Sequence, residues 1–377
     1  MLLILPAEHK VDWRRPPVFT LALILTCLGV FMLYQGEDAE RLDAALQAYT
    51  QARLHTLEGP EYDTYLLRRI RVDKAPLEGL REQIAPLIEQ QNWTELAPLM
   101  LTDLAFVRYL EANGERFWAP DTWAKWQAER TAVNQNHVEH LSSIAAGLIP
   151  ARIQLADLFS YQFLHGGWAH LIGNMVFLFL LGYALERVLG GLWLVALFLG
   201  TGVLAGLFFA LLTPGSWVPL VGASGSISGL MGLYVGLYRL RSIRFFYMLG
   251  PYFNYFKAPA LLIFPIWLAN EIVYYLSEPA SQVAYMAHAG GLLAGLLTSL
   301  YFTRIKPREV PRADQEDEAE TLLRKELNYA LDALSEARFD QALDRLWSLY
   351  QRSPALPQLD KPLTALLANR REDARYR

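Results

Sequence analysis

Long apolar segments alternate with polar stretches along this chain. A transmembrane α-helix needs about 20 predominantly apolar residues, and six segments approach that length: 17–34, 168–189, 191–213, 221–240, 258–276 and 284–302. They predict six membrane-spanning helices. Composition agrees, because 53% of the 377 residues are hydrophobic and only 19% are charged. The predicted fold class is therefore all-α, a polytopic six-helix membrane bundle with a helical soluble insert and a helical tail.

Two polar regions lie beside these segments. Residues 36–160 are rich in Glu, Leu and Ala, and their helix-period apolar positions predict a helical insert between the first and second spans. Residues 304–377 predict a helical tail, in which "ARFDQALDRL" resembles the start of the second helix of a tetratricopeptide repeat. A simple tail of two or three helices is the alternative. The predicted domains are an N-terminal arm (1–16), the first span (17–34), the insert (36–160), a membrane core with the other five spans (161–303) and the tail (304–377).

The distribution of basic residues predicts the orientation, because cytoplasmic loops carry an excess of Lys and Arg. Basic residues follow the fourth and sixth spans: Arg239, Arg241, Arg244, Lys257, Arg304, Lys306 and Arg308. The loops 214–220 and 277–283 contain only Glu278 as a charged residue. We therefore expect both termini to be cytoplasmic and the insert to lie outside, in a plasma (inner) membrane. The first span lacks a small-residue cleavage site, so we expect a retained anchor rather than a cleaved signal peptide.

Charge and cysteine content exclude several classes of function. A net charge of −4 gives no basis for a nucleic-acid partner. The single cysteine, Cys27, excludes an internal disulfide and a cysteine-based zinc site. We expect no cofactor and no metal.

The stretch "VGASGSISGL", residues 221–230, places small residues at the start of the fourth span. Small residues permit close packing of membrane helices, but Ser224 among them could also be a nucleophile. His288 in the sixth span is expected at the same depth, about 6–8 Å below the outer end of its helix. The second span runs in the same direction, and its start places His170 and Asn174 one turn apart at a comparable level.

These residue types suit acyl transfer. A serine hydroxyl is a weak nucleophile until a base removes its proton, and a neutral imidazole is a suitable base near pH 7. The Asn174 amide, a ring N–H of His170 and the Ser224 backbone N–H could stabilise an oxyanion. Polar side chains in a membrane segment indicate a functional site. The sequence suggests no carboxylate that would orient His288, so we predict a Ser–His dyad rather than a triad.

This set of residues resembles the rhomboid intramembrane serine proteases. The matching pieces are "HGGWAHLIGN", "GASG" and "AHAGGLLAG", in the order of that family, and the resemblance covers about residues 160–303. It implies Ser224 as nucleophile, His288 as general base, and His170 with Asn174 as oxyanion stabilisers. Supporting positions are His165, Gly222, Gly225 and Glu186.

Two features depart from the family pattern. Rhomboids often carry a tyrosine four residues after the nucleophile that packs on the catalytic histidine, and this position is Ser228 here. Another side chain must then hold His288. The first external loop of many family members is also far shorter than 36–160, which affects expectations about substrate access.

The predicted function is cleavage of transmembrane segments of membrane-protein substrates near the outer face of the bilayer. Expected partners are these substrates, the lipid bilayer, and proteins that bind the insert or the tail. One alternative is a metal site or metal transporter with His165, His170 and His288 as ligands. A second alternative is a catalytically silent relative that binds membrane helices as a scaffold.

Overall fold

The structure, a computed structural model, describes residues 2–6, 14–71, 77–278, 283–305, 313–352 and 357–368. It divides into two compact units, Met1–Glu309 and Val310–Arg377. Two of the basic residues that predicted the orientation, Lys306 and Arg308, lie outside the described residues.

The first unit begins with strand β1 (Leu2–Pro6) and helix α1 (Val18–Gly29). A π-helical turn, Val30–Tyr34, continues α1 and is followed by the helices of the insert. These are α2 (Asp38–Gln51), α3 (Leu54–Arg71), α4 (Glu78–Glu89), α5 (Trp93–Thr102), α6 (Leu104–Phe117), α7 (Pro120–Asn136) and α8 (Ser142–Ala146). The rest of this unit comprises α9 (Asp157–Ser160), α10 (Trp168–Leu189), α11 (Gly191–Leu212), α12 (Ser224–Tyr238), β2 (Ser242–Leu249), β3 (Tyr252–Pro259), α13 (Ala260–Ser277) and α14 (Tyr285–Leu300).

Four helical segments of the described chain are long and apolar enough to cross a membrane: Val18–Gln51, Trp168–Leu189, Gly191–Leu212 and Ala260–Ser277. The other two predicted spans form shorter helices, α12 with 15 residues and α14 with 16. A π-helical turn, Tyr301–Ile305, extends α14. The count of six spans therefore stays a prediction.

Helix α12 lies at the centre of this bundle and is buried along almost its whole length. It packs most extensively against α14, and α11, α10 and α13 surround it. Glycines set the close approach of the two central helices, because a Cβ at Gly295 would overlap Gly229 O and one at Gly232 would overlap Leu292 O. The small residues of the fourth and sixth spans thus serve helix packing, as the sequence suggested.

The insert has its own hydrophobic core, enclosed by α2 to α8. A fully buried carboxylate, Glu58, lies inside it and accepts hydrogen bonds from Tyr49 Oη at 2.5 Å and Trp126 Nε1 at 2.8 Å. The guanidinium of buried Arg130 lies 3.5 Å from the same carboxylate. Because a buried charge needs such partners, this network fixes how α2, α3 and α7 meet.

An antiparallel sheet joins the start of the chain to the loop between α12 and α13, with strand order β1-β2-β3. In β2 and β3, Ser242 pairs with Pro259 and Leu249 with Tyr252 across a two-residue turn. Strand β1 pairs with β2 in a register that runs from Leu2 opposite Leu249 to Pro6 opposite Phe245. The all-α prediction missed this sheet. The strand sequences, "SIRFFYML" and "YFNYFKAP", are rich in the aromatic residues that favour strands, a signal that the prediction of a basic loop overlooks.

The second unit contains α15 (Ala313–Ser335), α16 (Phe339–Arg352) and α17 (Pro357–Ala368). Helix α16 packs against both of the others around an apolar core that includes Ala333, Leu346 and Leu363. Three helices agree with the predicted helical tail, and its likeness to a tetratricopeptide repeat stays a prediction.

Candidate active site

Ser224 is the first residue of α12, so this helix begins three residues later than the predicted segment. The preceding turn depends on Gly222, which has φ +127°. A Cβ at this glycine would lie 2.9 Å from His170 Cε1 and 3.0 Å from His170 Nε2. Glycine at position 222 therefore permits both the left-handed backbone and the close approach of the His170 ring to the serine loop.

His288 is the fourth residue of α14, and its Nε2 lies 2.9 Å from Ser224 Oγ. The close packing of α12 and α14 brings the two residues together although 63 residues separate them in the chain. The predicted pairing of Ser224 with His288 is thus present as a direct hydrogen bond.

The other side of the His288 ring is contacted by a carboxylate that the sequence analysis did not predict. Glu271 of α13 places its Oε2 2.9 Å from His288 Nδ1, and both side chains are 16% exposed. The prediction that no carboxylate would orient His288 is therefore wrong. It failed because the sequence does not show which face of α13 packs against α14.

His170 and Asn174 lie one turn apart in α10, which packs against α12. The backbone N–H of Gly166 points to His170 Nδ1 at 3.4 Å. Since a backbone N–H can only donate, this contact leaves the proton of a neutral ring on Nε2, the atom beside Gly222. Asn174 is buried, and its Nδ2 has no hydrogen-bond partner among the described residues. His170 therefore offers a donor beside the turn that precedes Ser224, and Asn174 offers an unused donor one turn further along the same helix.

His165 precedes α10 and supports the His170 ring, edge to face, with the ring centroids 5.3 Å apart. Gln35, just beyond the π-helical turn, holds the His165 backbone from both sides: Gln35 Oε1 accepts from His165 N at 2.8 Å and Gln35 Nε2 donates to His165 O at 3.0 Å. Burial lowers the pKa of His165 to about 4, with a smaller contribution from His170. A neutral His165 is thus built into the wall behind His170.

The last two supporting residues have packing roles. A Cβ at Gly225 would lie 3.0 Å from Ala205 Cβ, so this glycine lets α12 approach α11. Glu186 accepts hydrogen bonds from Phe19 N at 3.1 Å and from Thr20 N at 2.8 Å, and therefore caps the start of α1. It lies 16 residues after His170 in the same helix, about 24 Å along the axis, so the structure does not bring it to Ser224.

The described residues contain no group of three or more His, Cys, Asp or Glu side chains arranged to hold a metal ion. The three histidines of the metal-site alternative do not form such a group.

Residues 152–305 match the family model of the rhomboid domain. This chain belongs to the rhomboid family. It is similar to the putative rhomboid protease YdcA of Bacillus subtilis (strain 168), with 31% identity over 145 residues, which make up 38% of this chain and 66% of that protein. It is also similar to rhomboid-related protein 2 of Mus musculus, with 34% identity over 144 residues, 36% of this chain and 44% of that protein. The family and the apolar helices together indicate an integral membrane protein.

The rhomboid domain contains the residues gathered around Ser224, whereas the helices α2 to α8 and the second unit lie outside it. The residue four positions after Ser224 is Ser228, whose Cβ packs toward Gly291 of α14. In this rhomboid domain the His288 ring is instead contacted by Glu271 and, edge to face at a centroid distance of 6.4 Å, by Tyr285. These two residues contact His288 in place of the tyrosine that many rhomboids carry at the position of Ser228.

Proposed function

We propose that this rhomboid is an intramembrane serine endopeptidase in which Ser224 is the nucleophile and His288 the general base. The observation that carries the proposal is the 2.9 Å contact between His288 Nε2 and Ser224 Oγ. A nucleophile and a base within hydrogen-bond distance are the arrangement that serine acylation needs.

In the first step Ser224 Oγ attacks the carbonyl carbon of the substrate peptide bond, and its proton passes to His288 Nε2. The tetrahedral intermediate collapses as the carbon–nitrogen bond breaks, and His288 returns the proton to the leaving amine. Water then attacks the acyl-serine, with His288 again as base, and releases the second product and free Ser224.

Three donors can stabilise the oxyanion in this mechanism. They are the unpaired Nδ2 of Asn174, the Nε2–H of His170, and the backbone N–H of Ser224. The last belongs to the first turn of α12, where backbone N–H groups have no partner within the helix and the helix dipole favours negative charge.

The proposed substrates are transmembrane segments of other proteins, cleaved near the outer face of the bilayer. A peptide bond within a helix is shielded by the helix itself, so the substrate must unwind locally before Ser224 can reach it. Segments with small or helix-breaking residues near the scissile bond should therefore be preferred. The proposal includes a location in a plasma (inner) membrane, with both termini on the cytoplasmic side.

A fluorophosphonate probe tests the nucleophile directly. We expect purified protein to form one adduct, located by mass spectrometry at Ser224, and to cleave a model transmembrane substrate in detergent. Ser224→Ala and His288→Ala should lose both labelling and cleavage. Ser228→Ala, which removes a hydroxyl one turn further along the same helix, should keep both. Cleavage by Ser224→Ala would contradict the proposal, and a folded wild-type protein that binds the substrate without cleaving it would favour the scaffold alternative.

A further inference from the structure

Glu271 is an isolated carboxylate in an apolar helix. It is the one acidic residue in the predicted span 258–276, and it lies six positions before the last residue of α13. A charged side chain within a membrane-spanning helix is costly and is retained where it has a partner or a function. The partner here is a ring nitrogen of His288, at 2.9 Å.

We propose that Glu271 is a positioning residue that completes a Ser224–His288–Glu271 triad. The inference rests on the proposed function. It differs from the dyad that the resemblance to rhomboid proteases implies, because both ring nitrogens of His288 are engaged, one by the nucleophile and one by a carboxylate.

The two contacts determine which nitrogen of His288 carries the proton. An ionised carboxylate can only accept hydrogen bonds, so Nδ1 must be the donor to Glu271. A neutral imidazole has one N–H group, and its lone pair is then on Nε2, directed at the Ser224 hydroxyl. This is the tautomer that a general base requires.

The carboxylate also acts when the proton moves. Ser224 Oγ releases its proton to His288 Nε2, which creates an imidazolium with both nitrogens protonated. Glu271 remains ionised and stabilises that cation through the same hydrogen bond, without accepting the proton. When the amine leaves, the proton passes from Nε2 to the amine nitrogen and the ring returns to its first tautomer.

The other groups around the His288 ring do not replace Glu271. Tyr285 of α14 contacts it edge to face, and its hydroxyl donates to Glu278 Oε2 at 3.1 Å instead. His170 of α10 also interacts electrostatically with His288, and it carries no negative charge. Among the described residues, Glu271 is thus the carboxylate bonded to this ring.

A purely structural role is the competing explanation, since the same contact ties α13 to α14. Glu271→Gln separates the two roles because it keeps the size of the side chain and removes the charge. We expect kcat per folded molecule to fall by about 10²- to 10⁴-fold, with KM nearly unchanged and the melting temperature retained. Glu271→Asp keeps the charge on a shorter side chain and should lose less. Glu115→Gln, the same carboxylate-to-amide change at an exposed position of α6 outside the rhomboid domain, should match the wild type.

The wild-type protein provides a second test that does not depend on a variant folding. Nitrogen-15 NMR of the imidazoles, with the His288 signals assigned by their loss in His288→Ala, should show Nδ1 protonated and Nε2 unprotonated in the neutral ring. The opposite tautomer would overturn the proposal. A Glu271→Gln variant with the same turnover per folded molecule as the wild type would also overturn it. The same holds if its activity falls only as far as the amount of folded protein falls.

These outcomes are distinguishable from failure of the proposed function. If Ser224→Ala and His288→Ala abolish cleavage while Glu271→Gln does not, the serine mechanism holds and only the triad fails. If Ser224→Ala still cleaves the substrate, the mechanism itself fails.

Discussion

A buried amide without a hydrogen-bond partner costs free energy, and Asn174 contains such a group. Its Nδ2 is buried and has no partner among the described residues, which costs on the order of 1–3 kcal/mol in a folded protein. In the proposed mechanism this donor serves the oxyanion, and its hydrogen bond forms only when charge develops on the substrate oxygen.

Asn174→Ala should therefore reduce turnover more than substrate binding. By comparison with other oxyanion donors we expect kcat to fall by about 10²- to 10³-fold, or about 2.7–4 kcal/mol, with little change in KM. Gly173→Ala is the matched control, since a Cβ there meets no atom within 4 Å. Turnover, KM and melting temperature should be measured together. If Asn174→Ala had a lower melting temperature and normal turnover per folded molecule, Asn174 would be a packing residue.

At the scale of elements, the distance between α12 and α14 decides whether Ser224 and His288 can meet. The two side chains project from different helices, and glycines set how close these helices come. Gly291 and Gly295 of α14 both face backbone oxygens of α12, at Gly225 and Gly229. The small-residue pattern and the candidate nucleophile are therefore parts of one arrangement.

Gly295→Ala tests this dependence. A methyl group at this position would overlap Gly229 O, so the helices must separate. We expect a loss of about 1–3 kcal/mol of stability, together with reduced fluorophosphonate labelling of Ser224. The control is Gly200→Ala in α11, where a Cβ meets nothing within 4 Å and alanine favours the helix. Equal labelling and equal thermal stability in the two variants would show that the α12–α14 distance is not set by Gly295.

At the scale of the whole molecule, the insert continues directly from the first apolar helix. The helical segment Val18–Gln51 includes both α1 and α2, and Gln35 between them bonds the backbone of His165 beside the candidate active site. Asp38 at the start of α2 accepts a hydrogen bond from the Ser142 hydroxyl at the start of α8. The Gln35 bonds tie the start of the insert to the rhomboid domain, and the Asp38–Ser142 bond joins the start of the insert to its end.

The predicted topology places the insert outside and the tail inside. Engineered cysteines at Glu115 of α6 and Asn328 of α15, both exposed positions, test it with a membrane-impermeant thiol reagent. The native Cys27 is buried and should react little. In intact cells we expect labelling of Glu115→Cys alone, and after the membrane is disrupted we expect labelling of both. External labelling of Asn328→Cys would reverse the orientation and would place Ser224 and His288 near the cytoplasmic face.

The sequence by itself determined the helical segments and the candidate chemistry of the core. Apolar length identified α1, α10, α11 and α13, because a spanning helix needs a long apolar run whatever its neighbours are. The sequence indicated a candidate active site because four polar residues are expected at the same membrane depth in helices that run in the same direction: Ser224, His288, His170 and Asn174. Depth depends only on position along a helix, and position can be counted in the sequence.

Contacts between helices were decided only by the tertiary structure. Glu271 lies in the predicted fifth span near the depth of His288, and a charged residue in a span is a signal that could have found it. Which face of α13 meets which face of α14 depends on packing, however, and the 2.9 Å bond to His288 follows from that packing. The same reason applies to β1, because a pairing between residues 2–6 and 245–249 joins distant parts of the chain. Local pattern carries no information about such a distant partner.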